Sequence, residues 1–401
     1  MQQKSASLLQ TGPRGVVSAS HLTSIGRVPG QTHRMMPGKF GNLTTTLEME
    51  PMKKNIIAMA VAAAVAAPAA AMADTTLYGK IHASYDFFGG DNANDRDYSV
   101  ASNSSRIGLK GKEAISDNLS LIYQWEEGID WGDGRDETGD KPRNTFIGFT
   151  GGWGSAIAGR HDTPMKRVGR KYELFNETVG DSRALIRGKA LAGANDWDAR
   201  TNNTVAYMTP DLGGFTAKLA YISDMSDDVN NNEDGYSVSA GYEVAGFMID
   251  GAYEQHNSDA EDLEAYRVGA GYKIGGFKIV GLYQNADMIT SNPENGDQDV
   301  WGLGAAYSFG KSTIKAQYYT ADDVSGTGNE DTGADLWAVG YDYKLSKQTS
   351  VYAVYAAVEA DAEGNGYFIG KGSGHSGQVG DAFGAATEDS NAFSVGVVHK
   401  F

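Results

Sequence analysis

The stretch FMIDGAYEQH, residues Phe247–His256, separates its side chains onto two faces by simple alternation. Its odd-numbered positions through Tyr253 are apolar, aromatic or glycine, whereas its even-numbered positions include Asp250, Glu254 and His256. Because successive side chains of a β-strand point to opposite faces, this period of two predicts a strand with one apolar and one polar face.

The same alternation recurs along residues 74–401. AYRVGAGYKI (Ala265–Ile274) places Arg267 and Lys273 opposite an apolar face, and LWAVGYDYKL (Leu336–Leu345) repeats the pattern. We interpret the chain as sixteen such strands of about ten residues each. Their expected first residues are Thr75, Ser99, Leu119, Arg143, Ser155, Thr201, Gly214, Gly235, Phe247, Leu263, Phe277, Gln298, Ser312, Gly333, Thr349 and Ser390.

Connections between these strands alternate between tight turns and long polar loops. Gly275-Gly276 and Gly310-Lys311 are tight, whereas Asp287–Asp297 and Ala321–Thr332 are long. An even number of such strands predicts an all-β fold, a 16-stranded antiparallel transmembrane β-barrel with a water-filled lumen. Closure satisfies every backbone group within a bilayer. A soluble sandwich or propeller is the alternative fold, but the polar face is too charged to be a packed core.

The composition excludes several functional classes. The 401 residues carry 34 basic and 51 acidic side chains, a formal charge of −17, which argues against a nucleic-acid partner because phosphates require a basic face. The absence of cysteine excludes disulfides and thiolate metal sites. A mean hydropathy of −0.39 excludes a bundle of apolar transmembrane helices. We expect neither a cofactor nor a metal.

Residues 52–73, MKKNIIAMAVAAAVAAPAAAMA, have the three parts of a secretory signal peptide: two lysines, an apolar core and an A-x-A cleavage site ending at Ala73. We therefore expect the mature chain to begin at Asp74. Residues 1–51 precede this signal, and we interpret them as an upstream extension of the gene model. Residues 74–401 form the expected barrel domain, with 27 basic and 49 acidic side chains, a formal charge of −22.

Several ordered motifs resemble the general, non-specific porins of Gram-negative bacteria. They are TLYGKIHASYDFF (76–88), SRIGLKGKEAISDNLSLIYQWEEG (105–128), RNTFIGFTGGWGSAIAGR (143–160), NNTVAYMTPDLGGFTAKLAY (202–221) and the closing VGVVHKF (395–401). The resemblance implies a homotrimer in the outer membrane, surrounded by lipid and lipopolysaccharide. It also implies a third extracellular loop folded into the pore, and a terminal strand whose Phe401 is the signal read by the barrel-assembly machinery.

The third loop is visible in the sequence itself. His161–Arg200 is the longest connection, and it is too apolar for a freely solvated loop, so we expect it to pack inside the barrel. Glu173, Glu177 and Asp181 recur every four residues, which would align them on one side of a short helical turn. We expect these three acids to face the opposite wall.

On that wall, the porin resemblance implies a ladder of basic residues. Lys80, Arg106 and Arg143 match it by motif, and Arg160 is a further candidate. Lys80 and Arg106 also lie on the polar face of their strands, so the alternation agrees with the resemblance. Opposed charges across a narrow wet gap set up a transverse field, and the net charge of the gap biases ion selectivity.

The expected function is an outer-membrane porin for passive diffusion of small hydrophilic solutes and ions. With the ladder cancelled by three loop acids, the acidic loops would give a weak cation preference. One alternative is a substrate-preferring channel of the same fold. An alternative of another class is a barrel hydrolase, for which His82 beside Ser84 or Ser105 is the best candidate.

Overall fold

The structure is a computed structural model. It describes residues 75–90, 98–130, 142–188, 196–223, 234–257, 262–288, 296–326, 331–361, 366–370 and 389–401. The expected signal peptide and the segment before it lie outside these residues.

Nearly all of the described chain is β-strand, as the alternation predicts. The strands are β1 (Thr75–Gly90), β2 (Tyr98–Ser102), β3 (Arg106–Ser116), β4 (Leu119–Gly128), β5 (Thr145–Gly151), β6 (Gly154–Asp162), β7 (Arg200–Met208), β8 (Phe215–Ile222), β9 (Asp234–Val244), β10 (Phe247–Asn257), β11 (Leu263–Ile274), β12 (Phe277–Asp287), β13 (Asp297–Phe309), β14 (Ser312–Ala321), β15 (Ala334–Lys344), β16 (Thr349–Ala360) and β17 (Asp389–Lys400). The helices are α1 (Pro164–Tyr172) and α2 (Arg183–Ile186), both between β6 and β7.

The sheet closes on itself. From β3 to β17 each strand pairs antiparallel with the next one in the chain, and β1 pairs with β17 from Lys80 opposite Lys400 to Gly90 opposite Ser390. Residues 83–87 of β1 pair with β2, and residues 75–80 of β1 pair with β3. These two segments are therefore a single stave interrupted at residues 103–105, and the fold is a closed 16-stranded antiparallel barrel, which confirms the predicted fold.

The barrel wall is apolar outside and polar inside. In β10, Phe247 and Ile249 are exposed on the outer face, whereas Met248, Glu254 and His256 are buried on the inner face. Other exposed aromatic and branched side chains follow the same alternation around the barrel. An apolar outer face suits contact with the lipid of a bilayer, and a polar inner face suits a lumen that contains water. This arrangement is therefore the one expected of a membrane-spanning barrel.

The short connections lie at one end of the barrel and the long loops at the other. Gly275 and Gly310 adopt φ of +57° and +58°, a left-handed backbone in which glycine carries no steric penalty, so two strands reverse within a few residues. The carboxyl end of β17 lies at the same short-turn end, where Lys400 N donates to Gln348 O over 2.9 Å. No described helix is long and apolar enough to cross a membrane.

Candidate functional site

The segment between β6 and β7 folds into the barrel lumen. Helix α1 begins where Thr163 Oγ1 accepts a hydrogen bond from Lys166 N, with Pro164 in the first helical turn. Basic Arg170 and Lys171 close its last turn, where the helix dipole favours positive charge.

Most of the described apolar side chains of this third loop are buried, and Leu174 is partly buried. Met165, Tyr172, Phe175, Val179 and Leu185 all have an exposed fraction of 0%. They belong to one apolar cluster with inward-facing wall residues, which include Met248, Val280, Leu336, Ala338, Val354 and Ala356. The loop therefore covers the inner face of β10 to β16, because burying this area stabilises it more than solvation would.

Arg267, on the inner face of β11, ties the loop backbone to the wall. Its guanidinium donates to the carbonyl oxygens of Met165 at 3.0 Å and of Ile186 and Trp197 at 3.2 Å. It lies 3.6 Å from Asp198 and is fully buried. Because this buried arginine donates to three loop carbonyls, it fixes the position of the loop relative to the wall.

Glu177, at the tip of the loop, reaches the wall on the far side of the lumen. It pairs with Lys80 of β1, and its Oε1 lies 3.0 Å from Arg106 Nη1 of β3. The backbone of Glu177 has φ of +61°, a left-handed conformation that is uncommon for a residue other than glycine. The structure thus brings the loop acid and the two predicted wall cations together.

Arg106 and Arg143 share a second carboxylate, Glu126 of β4. Arg143 Nε lies 2.7 Å and Arg106 Nε 3.7 Å from the Glu126 carboxylate, which also accepts from Tyr78 Oη at 2.9 Å. Glu126 lies on the inner, polar face of β4, but nothing in its sequence pattern distinguishes it from other acids of the lumen.

The other two predicted loop acids do not face the wall cations. The expected helical alignment does not form, because α1 ends at Tyr172 and Glu173 has an extended backbone. Glu173 accepts from Phe175 N at 2.6 Å and Ser182 N at 3.0 Å inside the loop. Burial, and then the charge of Asp181, raise the pKa of Glu173.

Asp181 is also an internal brace of the loop. It is fully buried and accepts from the backbone N–H of Glu177 at 2.7 Å and of Arg183 at 3.1 Å. Arg170 Nη1 lies 2.8 Å from Asp181, and Arg170 Nη2 lies 3.7 Å from Glu177. Sequence reasoning missed Arg170, because only the folded turn brings it back against residues 177 and 181.

Arg160, the further ladder candidate, lies apart from Glu177 in its described contacts. It donates to Pro142 O at 3.0 Å and to Asn202 Oδ1 at 2.6 Å. The charged cluster, as we name the group joined by these ion pairs, comprises four cations and three carboxylates: Lys80, Arg106, Arg143, Arg170, Glu126, Glu177 and Asp181. In the part of the chain that the structure describes, no group of His, Asp or Glu side chains is arranged to hold a metal.

Comparison with known proteins agrees with the fold. Residues 58–363 match the family model described as Gram-negative porin. The chain is 31% identical to outer membrane porin protein 32 of Delftia acidovorans over 49% of this chain and 56% of that protein. It is 28% identical to major outer membrane protein P.IB of Neisseria gonorrhoeae over 53% of this chain and 60% of that protein. The chain thus spans little more than half the length of these relatives.

Solved structures share the fold. An anion-selective porin from Comamonas acidovorans superposes with a TM-score of 0.67 at 24% identity, over 82% of this chain and 99% of that one. The trimer form of OmpT from Vibrio cholerae superposes with a TM-score of 0.61 at 20% identity, over 82% and 99%. The family match covers most of the chain, and the chain therefore belongs to the Gram-negative porin family, as a β-barrel of the outer membrane.

Proposed function

We propose that the protein is a channel for passive diffusion of small hydrophilic solutes and ions across the outer membrane, and that it assembles as a homotrimer. The observation that carries this is the third loop. It packs on the β10–β16 wall and reaches Lys80 and Arg106 on the opposite wall through Glu177. A closed barrel with such a loop leaves a narrowed, charged passage, the arrangement that selects solutes by size and charge.

The hydrolase alternative has weaker support. Ser105 Oγ accepts from His82 N at 2.9 Å and donates to His82 O at 3.0 Å, so it bonds to the backbone and not to the ring. Ser84 Oγ accepts from Asn103 Nδ2 at 2.8 Å, and the His82 ring contacts Tyr352 Oη at 2.9 Å. A serine nucleophile needs an imidazole within hydrogen-bond reach of its hydroxyl, and these contacts do not supply that pairing.

The same geometry favours anions over cations. The expectation of a weak cation preference required three loop acids to cancel the ladder, and only Glu177 contacts it. The loop contributes a cation of its own, Arg170, so the charged cluster carries one more positive than negative charge. Acidic groups on the outer loops are screened beyond about 8–10 Å, whereas charges on a low-dielectric wall are felt more strongly.

Electrical recording in a planar bilayer tests this proposal. We expect open-channel conductance in KCl, and a zero-current potential in a KCl gradient whose sign corresponds to chloride preference. No conductance from correctly assembled protein would refute the channel. A clear potassium preference would refute the selectivity and leave the channel intact. Cross-linking of the detergent-solubilised protein tests the trimer, which a single monomeric band would contradict.

A further inference from the structure

A cavity of about 750 Å³ lies at the short-turn end of the lumen, below the third loop. Asn176 and Thr178 of the loop line its top, and the turns after β13 and β15 line its base. Five lysines surround it, and we name them together the lysine pocket: Lys311, Lys315, Lys344, Lys347 and Lys400.

The positive charge of this pocket is mostly uncancelled. Among the residues that the structure describes, Asp342 is the one acid that lines the cavity, and its carboxylate lies 3.0 Å from Lys315 Nζ. Lys315 Nζ also donates to Leu174 O at 3.0 Å. None of the other four lysines forms an ion pair with a described acid. A formal excess of four positive charges therefore remains around the cavity.

The backbone holds these lysines in place. Lys344 N donates to Lys311 O, and Lys400 N donates to Gln348 O, both over 2.9 Å. Lys400 also lies directly opposite Lys80 in the pairing of β17 with β1. The pocket is thus continuous along the wall with the charged cluster, and its charges lie on strand ends and tight turns.

The neutral lining suits a polar solute with oxygen atoms. Thr313, Ser346, Thr349 and Ser350 supply hydroxyl groups, and Tyr352 and Val398 supply apolar surface. A volume of this size lies within the range of small-molecule sites. Ammonium groups act as point charges without a fixed fork, so they favour compact multivalent oxyanions such as phosphate over a single planar carboxylate.

We propose that the lysine pocket is a binding subsite for small oxyanions with two or more negative charges, with phosphate and its monoesters as the favoured chemistry. The subsite rests on the proposed channel and goes beyond it. It concentrates these anions on one wall between the short-turn mouth and the charged cluster. A bound multivalent anion there reduces the passage of chloride while it stays.

Block of chloride current by inorganic pyrophosphate tests the subsite. The assembled channel is recorded in KCl, with pyrophosphate added to each side in turn. We expect concentration-dependent block that is stronger from the short-turn side. The double substitution Lys344→Gln with Lys347→Gln should raise the half-blocking concentration by about fivefold, since each screened charge contributes a modest share.

Lys273→Gln with Lys278→Gln is the matched control. These two lysines lie opposite each other on β11 and β12 near the same end of the barrel, outside the cavity, and their loss removes the same charge. We expect this control to change the half-blocking concentration by less than about twofold, because a screened charge outside the cavity acts weakly on an ion within it. Equal shifts in the two double variants would overturn the subsite, because they would show only a general potential.

Two further outcomes would also overturn it. One is the absence of block by pyrophosphate, and the other is block by an acidic polypeptide alone, which would indicate a macromolecular partner. Zero-current potentials in KCl without pyrophosphate are measured on the same channels. They report the selectivity of the proposed channel separately, so failure of that selectivity and failure of the subsite are distinguishable.

Discussion

Arg106 Nη1 of strand β3 lies 3.0 Å from Oε1 of Glu177, so the barrel wall and the tip of the third loop meet through an ion pair. Glu177 pairs with Lys80 as well, while Arg106 also lies near Glu126. The wall cations are therefore shared between a loop acid and a wall acid. Removal of either partner alters the charge of the passage and the attachment of the loop tip together.

Replacement of Arg106 by glutamine should increase conductance and weaken anion preference. The change removes a positive charge and shortens a side chain at the narrow part of the lumen. We expect the chloride-to-potassium permeability ratio to fall by about twofold, the effect of one partly screened charge. Arg160→Gln makes the same chemical change at a residue whose described contacts do not include Glu177. We expect it to have a smaller effect. Equal effects of the two substitutions would contradict the special position of Arg106.

Replacement of Arg267 by methionine should loosen the third loop. It removes the donors to Met165, Ile186 and Trp197 carbonyls and leaves Asp198 buried without this cation. Breaking a buried pair by removing one partner costs about 3–5 kcal/mol, although Arg183 also pairs with Asp198 and reduces that cost. We expect a lower melting temperature in detergent and noisier open-channel current. A variant that keeps quiet current at wild-type melting temperature would refute the anchoring role.

The stability of the loop should depend on the ionisation of Glu173. Its folded-state pKa is raised by burial and by Asp181, so the folded state holds the proton more tightly than the unfolded chain does. Stability from this group is therefore present below the unfolded pKa of about 4.3 and is lost as pH rises through the folded value. Glu173→Gln lacks this loss. The melting temperature of the variant minus that of the wild type should increase as pH rises from about 4 to 7, and a constant difference would contradict the raised pKa.

Deletion of Phe401 should impair assembly without altering ion selectivity. Gly79 N donates to Phe401 O over 3.0 Å and Phe401 N donates to Gly79 O over 3.2 Å, and the ring of Phe401 is exposed on the outer face. The residue therefore completes the pairing of β17 with β1, and its side chain adds no charge to the lumen. We expect fewer inserted channels, each with wild-type zero-current potential. A normal yield of outer-membrane protein after the deletion would count against an assembly signal at this position.

The strands were predictable because each one carries its own evidence. Alternation and flanking turns are local, and every predicted strand start lies within two residues of the observed one. The interruption at residues 103–105 was not predictable, because Ser104 adopts φ of +54° within an otherwise continuous polar and apolar pattern. The barrel strand made of β2 and β3 is therefore a place where the local pattern and the structure differ.

The site was only partly predictable, for a physical reason. Lys80 and Arg106 lie on strands, so their inward direction follows from the alternation. The direction of Glu173, Glu177 and Asp181 depends on where α1 ends and on the packing of Phe175 and Val179, which are contacts distant in sequence. The spacing of four therefore indicated a helix that the folded loop does not form. The lysine pocket gathers residues from the adjacent strands β14 to β17 and their turns, but its top is formed by Asn176 and Thr178, which reach it only through the folded third loop.

The zero-current potential in a KCl gradient at about 0.1 M salt, where the screening length is about 10 Å, tests the role of the charged cluster most directly. It is measured for the wild type, Arg106→Gln and Glu177→Gln under one set of conditions. We expect chloride preference in the wild type, a weaker one in Arg106→Gln and a stronger one in Glu177→Gln. Potassium preference in the wild type, or shifts of the same sign in the two variants, would contradict control of selectivity by this cluster.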